Sequence, residues 1–323
     1  KVDSSVDGEN SDYILSVPTY VIPVDREAAI ASGILTEADQ RDVVDEVRIS
    51  IGDKRFITKD HLMMLDLFAH FDWSRPLSFT QAHLMQDYGV VDYARFDGYA
   101  YTFVPVYTRY RSGAELGYLN ADALYPFFMG DASVREPLHF GNLADDDVLV
   151  DYFYRYNISA SRLRENFARV ATEFLRRGTA EDVASAENLL DRGLEVLPSH
   201  KIEFSHSNTQ PFLRGYYTIA NYYLGLATEE LEAAIAVFDD MLGMNTAIEH
   251  VGDNFLYFYE LSDATAQLQA TVMHRGMDAS VVDEYLLRSD DYFNHAEACY
   301  RKGDVLAAEY IKSRGEWVRY YLQ

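Results

Sequence analysis

The sequence predicts an α+β chain: a small mixed α/β N-terminal unit followed by an all-α array of helical hairpins. Three observations predict it. Apolar and small residues recur at helical spacing through the second half. They run as Phe167, Val170, Ala171, Phe174 and Gly178, then Ala186, Leu190, Gly193 and Pro198. They return as Tyr216, Ile219, Ala220 and Tyr223, followed by Ala234, Phe238 and Met241. β-Branched alternation and short helical runs share the first hundred residues. Between the two, Gly and Pro punctuate a stretch without sustained period. The expected divisions are a mixed α/β domain over 1–110, an irregular connector with short helices over 111–158, and a helical-repeat domain over 159–323.

In the first part, residues 13–24 alternate like strands, with Pro18 and Pro23 confining them to edges. Asp25 precedes a short helix closed by Gly33, and Thr36 with Asp39 predicts a second helix running towards Val47. Val47 to Ile51 reads as a strand, Gly52-Asp53-Lys54 as a turn and Arg55 to Ile57 as the returning strand. Thr58 opens a helix with Leu62, Leu65, Phe68 and Ala69 on one side. Trp73-Ser74-Arg75-Pro76 ends it, Leu77 to Thr80 reads as a buried strand, and Tyr99 to Tyr107 as another. From about Ser159 the pattern is helical to the end. It predicts one pair at 160–197, a second at 209–243, one or two helices across 246–275, then helices at 279–302 and 304–322.

Composition bounds the function. The chain has 323 residues, 48% of them hydrophobic, and a net charge of -24. The acidic excess is spread through it: 12 basic against 25 acidic groups in residues 1–150, and 16 against 27 in the rest. A uniformly acidic surface repels phosphate backbones and anionic headgroups, so no nucleic-acid partner is expected. No stretch reaches the ~18–20 apolar residues of a membrane span. The chain begins at Lys1 with a polar segment, which reads as a fragment or processed form. One cysteine, Cys299, permits no internal disulfide, and its helical setting beside Ala296 and Ala298 predicts a buried, inert thiol.

No catalytic motif appears: no glycine-rich phosphate loop, no GxSxG, no HExxH and no Cys pair. His200 and His206 flank an unsuitable Glu203, and Asp145-Asp146-Asp147 with Asp151 lacks calcium-loop spacing, so neither a metal nor a cofactor is expected. The candidate binding face is the inner side of the first helix of each pair, carrying Thr172, Arg176, Arg214, Tyr217 and Asn221. Arg, Tyr and Asn together suit a peptide backbone or a carboxylate.

Small Ala at a crossing lets helices approach, Phe or Tyr one turn away fills the groove, and Gly and Pro end the helices. This pattern resembles the tetratricopeptide repeat, with longer turns after Gly178 and Ala227. The first part carries a second resemblance. Segments VIPVDREAAIASGIL (21–35), FITKDHLMMLDLFAHFDWSRPLSF (56–79) and FDGYAYTFVPV (96–106) are similar to the soluble C-terminal region of a large bacterial family. Its members are multi-pass membrane proteins grouped with protein O-mannosyltransferase-like glycosyltransferases. Trp73, Arg75, Pro76 and Phe79 match its motif, as do Gly98, Ala100, Tyr101, Val104 and Pro105. Ser78 stands for the family's Tyr and Asp97 for its Glu.

That resemblance implies a parent that is a lipid-linked-sugar-dependent transferase. Its catalytic acids would lie in a membrane portion upstream of Lys1. This chain would then be its non-catalytic tail on the periplasmic side of the bacterial inner membrane, binding acceptor polypeptide or a partner protein. The Trp-x-Arg-Pro segment reads as structural, with Trp73 plugging a helix end and Arg75 paired with a nearby acid. Two readings compete: a free-standing helical-repeat interaction scaffold, and an enzyme with a site at the domain junction around Arg75 and Tyr101.

Overall fold

A computed structural model describes residues 2–3, 14–15, 19–36, 39, 42–50, 58–108, 117–131, 143–150, 160–204, 206–242 and 279–321. The chain divides into two units, Lys1–Leu124 and Tyr125–Gln323. The predicted turn and strand at 52–57 and the helices expected across 246–275 lie outside the described residues.

The first unit is α/β, as predicted. Strand β1 (Val2–Asp3) pairs with β2 (Ile14–Leu15), and β3 (Thr19–Pro23) pairs antiparallel with β4 (Glu46–Ser50). Helix α1 (Arg26–Ala31) starts where Asp25 accepts from the Ala28 amide, and it ends at Gly33, whose φ of 76° suits glycine. Helix α2 (Lys59–Ala69) leads into a three-stranded sheet. Its strands are β5 (Ser78–Phe79), β6 (Ala94–Phe96) and β7 (Tyr101–Phe103), in the order β5-β7-β6. Helix α3 (Ala82–Asp87), which the pattern had not suggested, lies between β5 and β6.

The helix expected from Thr36 towards Val47 does not form over its described part. Asp39 accepts from the Thr36 amide and hydroxyl, as a capping pair would. The chain then turns extended, because Val43 bridges Val106, the Val44 amide bonds to the Pro105 carbonyl, and Val47 lies in β4. Tertiary pairing of β-branched residues overrides the local helix signal. Asp39 serves a buried cation instead: Arg95 donates to it at 2.9 Å, to the Ile34 carbonyl at 2.7 Å, and through two nitrogens to Asp97.

Trp73 centres the core of this unit. It is fully buried, stacks on Phe103, meets Phe71 edge-on, and donates from Nε1 to the Pro23 carbonyl at 2.8 Å. Its φ of 62° is in the left-handed region, a strained setting for a bulky residue that this packing and hydrogen bond hold in place.

The second unit is helical. Helix α4 (Ala121–Met129) contributes Phe128, which packs on Phe167. Helices α5 (Ala160–Arg177) and α6 (Ala180–Val196) form the expected hairpin. Gly178 turns it with φ 72°, and Thr179 caps α6 by accepting from the Asp182 amide. The ladder residues Phe167, Ala171, Phe174, Ala186, Leu190 and Gly193 are buried. Arg164 is buried with them. It donates to the carbonyls of Leu197, Ile202 and Glu203 and lies over the Phe204 ring, holding the turn after α6.

Two expected turns are absent. The spacing predicts a pair over 209–243, yet α7 (His206–Leu242) is one helix of 37 residues through Ala227. The spacing predicts separate helices at 279–302 and 304–322, yet α8 (Ala279–Tyr321) is one helix of 43 residues through Gly303. Both small residues serve a helix crossing. Ala227 packs with Leu224 and Ala296, while a Cβ on Gly303 would sit 3.0 Å from the Tyr217 ring. Helices α7 and α8 run antiparallel, since Tyr217 meets Asp304 and Tyr223 meets His295.

Candidate functional site

Three helices of the second unit place polar side chains along one shared seam. Helix α6 supplies Glu187 and Asp191, one turn apart. Helix α7 supplies Tyr216 and Tyr223, two turns apart. Helix α8 supplies His295, Cys299 and Lys302 on one face. Each set keeps helical spacing, so the flanking apolar positions bury the seam as they pack.

The contacts form a continuous chain. Tyr216 donates to Asp191 at 2.8 Å, and the Lys302 ammonium donates to both Asp191 oxygens, at 2.9 and 3.1 Å. Lys302 also lies 3.7 Å from Glu187. The Glu187 carboxylate sits 2.9 and 3.1 Å from His295 Nε2, and the Cys299 thiol points to it at 3.8 Å. The Tyr223 ring lies 3.9 Å from the His295 ring, centre to centre. Cys299 and Tyr216 are fully buried, whereas the His295 side chain is 41% exposed and opens the seam to solvent.

Electrostatics decides which chemistry fits. Burial, and then the Glu187 charge, push the Cys299 thiol up to about 12, with Lys302 only partly opposing. A nucleophilic cysteine needs the opposite shift and a histidine to take its proton. Here the thiol faces a carboxylate, so acyl-transfer chemistry does not fit. Burial alone would lower the Lys302 pKa, but its hydrogen bond and attraction to Asp191 and the charge of Glu187 outweigh that and raise it. Burial raises the Tyr216 and Tyr223 hydroxyls, Tyr223 to about 12, so both remain donors at neutral pH. The seam is thus a continuous hydrogen-bonded set in which the Cys299 thiol and the Tyr216 and Tyr223 hydroxyls keep their protons. Glu187, His295 and Cys299 hold donor atoms within 4.8 Å of one another, the one such group among the described residues.

Residues 1–123 match the TMEM260-associated domain 2 family. The match is consistent with a region of a TMEM260-like, O-mannosyltransferase-like protein. It spans the segments 21–35, 56–79 and 96–106. Neither a curated protein nor a solved structure matches the chain.

Within the matched unit, Trp73 and Phe79 are buried in the core, while Arg75 and Pro76 are exposed. Asp72, the acid nearest Arg75 in sequence, is bonded first to Ser74. That bond holds its carboxyl below the usual range, and Arg75 contributes least. Tyr101 packs on Phe96 within the sheet.

The helical face read from sequence is distributed over two settings. Tyr217 donates to Asp304 at 3.0 Å and packs on Tyr300, and Asn221 accepts from the Tyr300 hydroxyl, so both are engaged by α8. Arg176 is exposed and pairs with Glu173, Thr172 donates to the Ala168 carbonyl on its own helix, and Arg214 is exposed. His200 lies 3.6 Å from Asp146 at the surface. Of the seam residues, the sequence singles out only Cys299 for its chemistry, and as inert. The local hints were Glu187 four before Asp191 and His295 four before Cys299.

Proposed function

We propose that this chain is a non-catalytic, extracytoplasmic region of a membrane-embedded, glycosyltransferase-like protein, and that its helical unit binds acceptor polypeptide or a partner protein. The observation that carries this reading is the match of residues 1–123 to a TMEM260-associated domain. Two features support it. No described helix is long and apolar enough to cross a membrane. Among the described residues, the one cluster of His, Cys and acidic groups has a cysteine whose thiol is pushed up to about 12, away from nucleophilic use.

In this reading the first unit meets the membrane portion of the same protein on the periplasmic side of a bacterial inner membrane. Met63 and Leu67, one turn apart on α2 and 66% and 44% exposed, offer it an apolar contact. In this reading the α5–α6 hairpin is the tetratricopeptide-like unit. Thr172, Arg176 and Arg214, on the neighbouring helices α5 and α7, form the face offered to an extended polypeptide. Tyr217 and Asn221 support that face from the α8 side. No cofactor enters this role.

The coding sequence upstream of Lys1 tests the reading. Several apolar segments, each long enough to span a membrane, are expected there. A short export signal alone would favour the free-standing interaction scaffold.

A further inference from the structure

The seam brings together three donors of different chemistry, one oxygen, one nitrogen and one sulfur, from two rigid helices. We propose that Glu187, His295 and Cys299 form a binding site for a zinc-class divalent cation, with the fourth position open to solvent beside His295.

Spacing supports this. A tetrahedral zinc ion bound at ~2.0–2.3 Å holds its ligand atoms roughly 3.3–3.8 Å apart. Here His295 Nε2 lies 2.9 and 3.1 Å from the two Glu187 oxygens, and Cys299 Sγ lies 3.8 Å from the nearer one. All three donor atoms lie within 4.8 Å of one another, so side-chain rotations that move them by about an ångström bring the set onto one ion. His295 and Cys299 are one turn apart on α8, so a single helix fixes their relative position.

The surroundings are those a metal site uses to hold its ligands. Tyr223 packs against the His295 imidazole and sets its plane. Lys302 and Tyr216 both anchor Asp191, the residue one turn beyond Glu187. Lys302 sits closer to Asp191 than to Glu187, 2.9 against 3.7 Å, so an ion at Glu187 leaves the stronger contact in place.

Charge balances on loading. By formal charge, the Glu187 and Asp191 carboxylates against the Lys302 ammonium leave one negative charge in excess before loading. Binding transfers the Cys299 Sγ proton to solvent, moves the His295 ring proton to Nδ1 so that Nε2 is free to coordinate, and adds the dication. The loaded seam is neutral. A mixed sulfur, nitrogen and oxygen set selects zinc or cobalt over magnesium and calcium, which prefer oxygen alone.

Cobalt(II) titration of the full chain tests the proposal, because Cys299 is the only cysteine and any thiolate-to-cobalt charge-transfer band reports it alone. The expected result is a band that saturates at one equivalent, is bleached by one equivalent of zinc(II), and survives excess magnesium(II). Cys299→Ala should abolish the band. His295→Gln and Glu187→Gln should each weaken cobalt binding by about tenfold or more. Absorption limited to oxygen-only coordination in the wild-type chain would overturn the proposal. So would a charge-transfer band that Glu187→Gln and His295→Gln leave unchanged. The wild-type spectrum decides even where a variant folds poorly.

Discussion

Glu187 and His295, 108 residues apart in sequence, meet with His295 Nε2 2.9 Å from a Glu187 carboxylate oxygen. This contact joins α6 to α8 at the centre of the seam, with the Glu187 side chain only 16% exposed. A double-mutant cycle of Glu187→Gln and His295→Gln, read by urea unfolding, is expected to give a coupling energy of ~0.5–2 kcal/mol. Additive losses would mean that the two side chains do not share an interaction in solution.

Cys299 gives a signed pH prediction. An unfolded thiol ionises near pH ~8.5, whereas the folded one holds its proton to about 12. In that window the folded chain binds a proton that the unfolded chain has lost, so stability falls as pH rises. Tyr217 and Tyr223, each raised to about 12 chiefly by burial, extend the loss above the usual tyrosine range. The urea midpoint should therefore drop between about pH 8.5 and 10.5, less steeply in Cys299→Ala. At pH ~8 the native thiol should react with a disulfide reagent roughly a thousandfold more slowly than in denaturant.

Two glycines on helices predict opposite signs. A Cβ at Gly193 would lie 2.9 Å from Phe212 and 3.1 Å from Phe167, both fully buried. Gly193→Ala is expected to cost ~1–3 kcal/mol through overpacking. Gly225, on the same bundle, has nothing within 4 Å of its added Cβ. Gly225→Ala should stabilise α7 by up to ~1 kcal/mol, the difference in helix propensity. Thermal unfolding of the two variants checks both.

These glycines also show what was legible in the sequence. The α5–α6 hairpin could be read because its signals agree: an apolar ladder, Gly178 at the turn, and Pro198 just beyond α6. Helices α7 and α8 could not be read as continuous, since a small residue inside a ladder has two physical uses. Gly178 adopts a positive φ and ends a helix, whereas Gly303 stays helical to admit the Tyr217 ring. Sequence spacing does not separate these uses; the partner helix does. The seam was hidden for the same reason. Each helix shows only a pair or triplet of polar residues one or two turns apart, which is also the pattern of a solvated face. In the first unit, Asp39 looked like a helix cap because its partner Arg95 is 56 residues away.

That partner predicts a large effect. The Asp39 side chain is fully buried and Arg95 is 11% exposed, so Arg95→Met would leave a buried carboxylate without its cation. A loss of ~3–5 kcal/mol is expected, recovered in part by pairing it with Asp39→Asn. Equilibrium unfolding of the single and double variants measures both.

Polypeptide binding by the helical unit is the central functional claim, and calorimetric titration of an unglycosylated, serine- and threonine-rich peptide into the full chain tests it most directly. Saturable binding is predicted, weakened roughly fivefold or more by Arg176→Ala with Arg214→Ala, at two exposed residues whose loss leaves the melting temperature unchanged. Absence of binding, or binding that the double variant leaves intact, would contradict the account.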